Sequence, residues 1–381
     1  MKKIVKKTTP FWAALFLLLF SAPAAAQWQV LEDMPMPLGA IDPGVLDGKI
    51  YVFGGKITEL ISSDTVWVYD PDEGWSFGGK MPDSLEAIIV EEYNGKLYLF
   101  GGHSHPDFVY RREVMTYDPA TWQFDTVGYM PTAKAWFTSV VLGGKIYLLG
   151  GDDNVSGPSR AVDVFDPISG VWASGPPLNT GRAGLSADTL NGKIYVTGGG
   201  AGTTAFNTAE IYEPGGQWIV SPAMMNTARG FHSCKNVGGK LYVVGGAAGF
   251  STPFLNTTEY FDPQTGVWVD FDDLNFARRE LGAAVLGGDL YVLGGMTGPF
   301  GNANFHAKVE RHEIVSSSYE RKVAEGFDFQ LRNTPNPFHS TTRMEFAITE
   351  RAKVELDIFD VNGKKVATLL DELLYPGEYE A

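Results

Sequence analysis

The sequence has almost no cysteine, few basic residues for its size and only one long apolar run. Its single cysteine, Cys234, excludes an intramolecular disulfide, so the folded core alone must stabilise the protein. Thirty basic residues face 45 acidic ones, which gives a formal net charge of −15. A nucleic-acid-binding protein would show a basic patch, and none is evident. We therefore expect an acidic, soluble protein with no nucleic-acid partner.

The one long apolar run lies at the N terminus. Four lysines within residues 2–7 precede the apolar residues 11–20, and Ala24, Ala25 and Ala26 follow. The run is short for a bilayer span and is typical of a secretory signal peptide cleaved after Ala26, with an uncleaved membrane anchor as the alternative. After cleavage no transmembrane segment remains. The prediction is a protein that is secreted or lies on the outer cell surface.

Glycine, in contrast, is abundant and periodic. The segment GGKIYLLGG at residues 143–151 has five close relatives elsewhere in the chain, and the six copies are spaced 47 to 49 residues apart. Such a period with strand-like content indicates a repeat architecture. Each copy ends in a glycine pair: Gly54 and Gly55, Gly101 and Gly102, Gly150 and Gly151, Gly198 and Gly199, Gly245 and Gly246, Gly294 and Gly295. Each copy begins with an NG, DG or GG pair, which is a hairpin signal. It predicts a strand a before the pair and a strand b after it, paired with each other.

A second landmark follows each glycine pair. Asp-Pro or Glu-Pro marks a turn between a strand c and a strand d. Strand d carries one of the tryptophans Trp75, Trp122, Trp172, Trp218 and Trp268, which we expect to pack between neighbouring blades. The last repeat lacks this piece, and Trp28 precedes Met34-Pro35 just as Trp75 precedes Met81-Pro82. Residues 27–314 are therefore predicted to form a six-bladed, all-β propeller that the N-terminal strand closes.

This combination of paired glycines, tyrosine, Asp-Pro and tryptophan resembles kelch repeats. The resemblance implies a kelch-type β-propeller, a fold that mostly serves as a binding module. A minority of kelch propellers are enzymes, including a copper radical oxidase and a sialic-acid mutarotase. The lone Cys234 lies among small residues of a strand a, which gives no support to the copper enzyme. The fold is thus better determined than the activity.

The residues after the propeller have a different sequence pattern from the repeats. Residues 315–326 read as a linker, and residues 327–381 as a small β module with alternating apolar residues in KVELDIF and an Asn-Gly turn. The segments NPNPF, STT and FDVNGKKV resemble the C-terminal sorting module of proteins exported by the bacterial type IX secretion system. That resemblance implies an immunoglobulin-like fold, here apparently truncated, and an export machinery as partner. A generic β module is the alternative.

The propeller topology predicts where a ligand binds. The beginnings of the a strands and the long b–c loops share one face, which we call the loop face, and long loops on a rigid scaffold commonly carry function. The residue after each glycine pair should lie there, including His103 and Asp152. Lys134, Arg182, Arg229 and Arg278 occupy equivalent places at the beginnings of four consecutive a strands. Gathered at one channel mouth, these cations could grip an anionic ligand, or form internal ion pairs with loop acids.

Chemical motifs are sparse. His103 and His105 could hold a metal ion with Asp152 and Asp153, but two loop histidines are too few to predict a metal, and we predict no cofactor. No nucleophile elbow, phosphate loop or dinucleotide fingerprint is present. The favoured hypothesis is a binding module for a protein or anionic glycan. The alternative is a carbohydrate-active enzyme of sialic-acid mutarotase or lyase type that uses His103, His232, Arg182 or Arg229.

Overall fold

The structure is a computed structural model that describes residues 27–106, 108–249, 253–299 and 301–314, together with the backbone of five later strands. The signal peptide and the linker predicted above lie outside the described residues. The chain divides into two compact units, residues 1–314 and 315–381. All regular elements in the described residues are β-strands. The first unit contains six antiparallel blade sheets, five with four strands and one, in blade 4, with a short fifth strand. The prediction of an all-β, six-bladed propeller is confirmed.

Each blade contains strands a to d in spatial order. Blade 1 consists of Gly44–Leu46, Lys49–Phe53, Thr65–Asp70 and Gly74–Lys80; blade 2 of Ile89–Tyr93, Lys96–Phe100, Glu113–Asp118 and Gln123–Tyr129; blade 3 of Thr138–Leu142, Lys145–Leu149, Val162–Asp166 and Val171–Ser174. Blade 4 consists of Ala183–Leu190, Lys193–Ala201, Ala209–Tyr212 and Ile219–Val220; blade 5 of Ser233–Val237, Lys240–Val244, Thr258–Asp262 and Val267–Phe271.

Blade 6 is assembled from both ends of the propeller. Strands a to c are Gly282–Leu286, Asp289–Leu293 and Val309–His312, and the N-terminal Gln29–Val30 supplies strand d. The a strands of blades 6 and 1 contact each other like those of every other neighbouring pair. The ring is therefore closed by an early strand, as the position of Trp28 predicted. The N-terminal strand pairs with strand c of blade 6 and so covers an edge that would otherwise be unpaired.

Short strands lie in four of the b–c loops. They are Lys56–Thr58 and Ile61–Ser62 in blade 1, His103–Ser104 and Val109–Tyr110 in blade 2, Thr204–Ala205 in blade 4, and Met296–Thr297 and Asn304–Phe305 in blade 6. Their pairing gives these loops a defined shape above the blades. By contrast, the a–b connections are two-residue turns with positive φ at both residues, such as Asn94 and Gly95.

Six hydrophobic clusters fill the seams between the blades, and each contains residues of two neighbours. In every seam an aromatic ring on strand d, or just before it, lies tilted or edge to face against a ring of strand c at centroid distances of 4.7–5.6 Å. The pairs are Trp75 with Tyr69, Phe124 with Tyr117, Trp172 with Phe165, Trp218 with Tyr212, Trp268 with Phe261, and Trp28 with His312.

Trp122 does not lie on strand d as predicted, although its ring does contact Phe77 of the neighbouring blade 1 at a centroid distance of 5.5 Å. Phe124 pairs with Tyr117 across strands c and d and takes the seam position, whereas Trp122 lies in the turn with a φ of 60° and is 48% exposed. The cause is turn length, because Trp122 comes only four residues after Asp118 and cannot reach the seam register.

The glycine pairs join each blade to the next. The second glycine donates its N–H to the carbonyl oxygen of the residue that leads into the next a strand, as in Gly199 to Arg229 at 2.9 Å and Gly295 to Leu38 at 2.8 Å. Both glycines of all six pairs have positive φ. A Cβ on Gly150 would lie 2.7 Å from the Arg182 carbonyl oxygen, so a side chain there would push the blades apart.

The second unit contains Gln330–Thr334, Arg343–Ile348, Ala352–Phe359, Lys365–Leu374 and Gly377–Glu380. These strands form one three-stranded and one two-stranded antiparallel sheet. The antiparallel pairing agrees with a β module, and the immunoglobulin-like fold and the sorting role stay predictions.

Closure by Trp28 can be tested by substitution. Trp28 is buried, and its indole N–H donates to the Asp272 carbonyl oxygen at 2.7 Å. We expect Trp28→Ala to lower the free energy of unfolding by about 3–5 kcal/mol, because it empties a seam and loosens the closing strand. The half-exposed Trp122, which keeps one edge-to-face contact with Phe77, is the comparison, and Trp122→Ala should cost clearly less than Trp28→Ala, about 1 kcal/mol. Urea unfolding of both variants measures the difference, and equal losses would contradict the closure.

Candidate binding pocket on the loop face

A pocket of about 520 Å³ opens on the loop face of the propeller. All six blades contribute to its wall through the residue that follows the glycine pair: Lys56, His103, Asp152, Gly200, Ala247 and Met296. The topology therefore placed the loop face correctly, and His103 and Asp152 lie in the lining of this loop-face pocket.

Lys134, Arg182, Arg229 and Arg278, which we call the four buried cations, do not line this pocket. The residues that bridge to the post-glycine positions come one position later, as in Ala135 with Asp152, Gly230 with Ala247 and Arg279 with Met296. Successive side chains of an extended segment point to opposite sides. The prediction that these cations meet at the channel mouth is wrong. The residues that lie beside the post-glycine positions are the next residues in the chain, and the cation side chains point to the opposite side.

Each buried cation instead forms an ion pair within its own blade. Lys134 lies 2.9 Å from Asp163, Arg182 2.9 Å from Glu210, Arg229 2.6 Å from Glu259, and Arg278 3.1 Å from Glu310. These four cations are at most 3% exposed. The carboxylates belong to the c strands and are not the loop acids that sequence reasoning named.

The arginine pairs carry further hydrogen bonds. Arg229 donates to the carbonyl oxygens of Gly245 and Thr257, and Glu259 accepts the backbone N–H groups of Asn226 and Thr227. Burial lowers the pKa of each of the four cations, and the facing carboxylate offsets part of that effect. Such a buried ion pair stabilises the structure only while both charges and their hydrogen-bond partners are present, because removal of one leaves the other charge buried and unpaired.

The repeats contained a signal for these pairs. Blades 3 to 6 each have a cation just before strand a. The same blades have an acidic residue on strand c, three residues before the position where the c–d turn begins. In blade 1 the same two positions hold Leu38 and Trp67, and in blade 2 they hold Leu85 and Met115, each pair within one hydrophobic cluster. Comparison of the repeats at both positions together would have identified the ion pairs.

A ring of six left-handed residues contributes three members, Trp136, Phe231 and Glu280, to the lining of the loop-face pocket. Ala40, Ala87, Trp136, Gly184, Phe231 and Glu280 occupy equivalent positions, and the five that are not glycine have φ values of 52–56°. Several are joined by backbone hydrogen bonds across the seams, such as Phe231 N–H to Gly184 O at 2.7 Å and Glu280 N–H to Phe231 O at 2.9 Å. A left-handed conformation is costly for a bulky residue.

Three ring residues project large side chains into the pocket. Trp136 and Phe231 contact each other edge to face at a centroid distance of 5.3 Å, and Glu280 lies beside them. The Lys56 ammonium lies 5.4 Å from the centroid of the Trp136 ring, and the Arg279 guanidinium 5.7 Å from that of Phe231. The pocket thus combines aromatic surfaces with nearby charges of both signs.

Glu86 is a candidate site residue that sequence reasoning missed. Its carboxylate is fully buried beside the pocket, and Oε1 lies 3.0 Å from Lys56 Nζ, 3.1 Å from His103 Nε2 and 3.2 Å from His105 Nε2. Burial alone would raise the pKa of Glu86, but the hydrogen bond from His103 and the charge of Lys56 hold it below its usual value. Burial lowers the pKa of His105.

The residues of the enzyme hypothesis are not brought together. His232 is buried away from the loop-face pocket and shares a hydrogen bond with Thr197 at 3.0 Å. Burial lowers the pKa of His232 well below the usual value, so it is neutral. Arg182 and Arg229 are held in their ion pairs, which leaves His103 as the one member of that set in the pocket lining.

Comparison with known families agrees with the blade pattern. A model described as the KLHDC2/KLHL20/DRC7 Kelch-repeats domain matches residues 15–199, and the Kelch motif matches residues 181–225 and 228–275. The propeller is a kelch-repeat domain. Kelch propellers generally bind proteins, so the loop-face pocket belongs to a fold with that typical role.

Several curated proteins are similar to part of this kelch propeller. Kelch-like protein 35 of Mus musculus is 26% identical over 39% of the chain, and Beta-scruin of Limulus polyphemus is 25% identical over 38%. Kelch-like protein 36 of Bos taurus is 26% identical over 44% of the chain. These matches cover only 25%, 17% and 28% of the three relatives. Within the described residues, no helix has the length and apolar character to span a bilayer.

The structural role of the buried cations gives a stability prediction. Arg229→Leu should cost about 3–5 kcal/mol in the free energy of unfolding, because it leaves the Glu259 carboxylate buried without its cation. The double variant Arg229→Leu/Glu259→Met copies the Leu85 and Met115 pair of blade 2 and should be more stable than Arg229→Leu alone. Urea unfolding tests both. An Arg229→Leu variant as stable as the parent would show that this side chain is not a structural element.

Proposed function

We propose that this kelch propeller is a binding module for a protein ligand and that the ligand inserts a side chain into the loop-face pocket. The observation that carries the proposal is the conformation of Trp136 and Phe231. Both adopt left-handed φ values at ring positions where blade 4 has glycine and blades 1 and 2 have alanine. Bulky residues in this region cost about 1–3 kcal/mol each and cluster at functional sites. The presence of Trp136 and Phe231 at these positions despite that cost favours a role for them in recognition.

The surroundings of the pocket support a protein partner. Exposed apolar side chains lie at the b–c loops of blades 1 to 3, where Leu60, Ile61, Phe108, Val109 and Val155 are 44–89% exposed. Apolar side chains gathered around a pocket are typical of protein interaction surfaces. A central aromatic pocket with an apolar rim fits a ligand that anchors one side chain and covers the loops around it.

The charges of the pocket argue against a dedicated anion site. Lys56 lies 3.0 Å from Glu86 and 3.7 Å from Glu280, and Arg279 also lies 3.7 Å from Glu280. Each cation that lines the pocket is thus already near a carboxylate. An anionic glycan would have to compete with these contacts, whereas an apolar side chain would not. We therefore place a protein ligand before a glycan.

The sequence also supports export. The pattern of residues 1–26 favours a cleaved signal peptide, and residues 327–381 resemble a type IX sorting module. We propose that the binding module acts outside the cell or on its outer surface. Mass spectrometry of the protein from its producing cells should find a chain that begins at Gln27 outside the cytoplasm. A cytoplasmic chain that keeps residues 1–26 would contradict the proposal.

The pocket can be tested with ligands selected from a displayed peptide library against the full chain. Trp136→Gly should weaken binding about ten-fold or more, in the range of an interface hot spot. The same variant should keep its melting temperature, because glycine adopts the left-handed conformation freely, as Gly184 does in blade 4. Calorimetry of binding and thermal unfolding give the two readouts.

A pair of blade 3 variants provides the control. Val155 and Ile168 are both highly exposed aliphatic residues, but Val155 lies in the b–c loop and Ile168 in the c–d turn on the opposite face. Val155→Asp should weaken binding and Ile168→Asp should not. The proposed site would be refuted if the selected ligands bound Trp136→Gly as tightly as the parent, or if Ile168→Asp weakened their binding. A glycan array run in parallel would refute the ligand class if anionic glycans alone bound.

A further inference from the structure

Glu86, His103 and His105 form a compact group of metal-ligating side chains in blade 2. Each offers one ligand atom, and the three atoms lie within 4.8 Å of one another. Glu86 and His103 are also held by a reciprocal pair of backbone hydrogen bonds, Glu86 N–H to His103 O at 2.9 Å and His103 N–H to Glu86 O at 3.0 Å. The backbones of Glu86 and His103 are therefore held side by side, and His105 follows two residues later in the same loop.

Hydrogen bonds alone account poorly for the contacts of Glu86. Its Oε2 accepts the hydroxyl of Ser62 at 3.0 Å, while Oε1 faces three donors or cations, Lys56, His103 and His105, at 3.0–3.2 Å. A carboxylate oxygen has two lone pairs for such contacts. Two imidazoles that converge on one crowded oxygen are arranged as ligands of a shared cation.

We propose that Glu86, His103 and His105 bind a divalent transition-metal ion, with zinc as the best match. Two imidazole nitrogens and one carboxylate oxygen are a donor set that suits zinc, and not the all-oxygen sets of calcium or magnesium. Both histidines line the loop-face pocket, so the ion would be reached from the pocket. Three protein ligands leave a position for water or for a donor atom of a bound partner.

Lys56 is the competitor for this site. Its ammonium contacts the same Oε1 of Glu86, and a metal ion must displace it. A second carboxylate, Glu280, lies 3.7 Å from Lys56 Nζ, and a flexible lysine stem can turn toward it. A metal ion and the Lys56 ammonium would thus compete for one carboxylate. If the group were only a structural hydrogen-bond network, removal of Lys56 would not create tighter metal binding.

The test uses the untagged full chain after removal of metals with a chelator. Titration calorimetry with zinc should show one site, and His103→Gln and His105→Gln should each weaken it about ten-fold or more. Lys56→Met should bind zinc more tightly than the parent, because the competing ammonium is gone. His306→Gln is the control, since His306 bonds Thr297 outside the group. Magnesium should give no binding.

A cobalt titration provides a second readout that does not depend on stability. Cobalt in a nitrogen and oxygen site absorbs visible light, and this absorption should disappear in His105→Gln while the melting temperature of the chelator-treated variant stays near that of the parent. Absent zinc binding, binding unchanged in both histidine variants, or weaker binding in Lys56→Met would each overturn the proposal. The inference does not depend on the nature of the protein ligand.

Discussion

The hydrogen bond from the second glycine of each blade to the entry of the next a strand is the contact on which the propeller depends. It recurs in all six seams, including the one from Gly295 to Leu38 that joins the last blade to the first. Only glycine permits the approach, because both residues of each pair have positive φ and a Cβ would strike the neighbouring chain. The side chain of the residue that carries this carbonyl points into its own blade. In blades 4 to 6 the next residue, Ala183, Gly230 or Arg279, lines the pocket.

That constraint connects stability to recognition. The entry residue carries either a leucine in the core or a cation paired with a c-strand acid, and both solutions fill the same space. Two residues later the chain turns left-handed to form the ring, three members of which line the loop-face pocket. The seams therefore determine which side chains support the blades and which face the loop-face pocket. Trp136, Phe231 and Glu280 can project into the pocket because the backbone around them is held by the adjacent blades.

The sequence predicted features that recur and missed features that occur once. The glycine pairs and the Trp28 spacing predicted six blades and the closing strand, since every copy repeats the same local chemistry. The direction of Arg182 or Arg229 could not be read from spacing, because a shift of one residue reverses the side chain. Trp136 and Phe231 gave no sign of left-handed backbone, since these residue types rarely adopt it. Glu86 lay among apolar residues, and its partners came from a loop and another blade.

We expect a partner to bind where the b–c loops surround the left-handed ring. Hydrogen–deuterium exchange of the full chain, with and without a bound protein or peptide ligand, tests it most directly. We expect slower exchange in the loop-face segments, such as residues 56–62, 103–106 and 204–206, and no change in the c–d turns at residues 71–73 and 167–170. Protection confined to those c–d turns, with the loop-face segments unchanged, would contradict it.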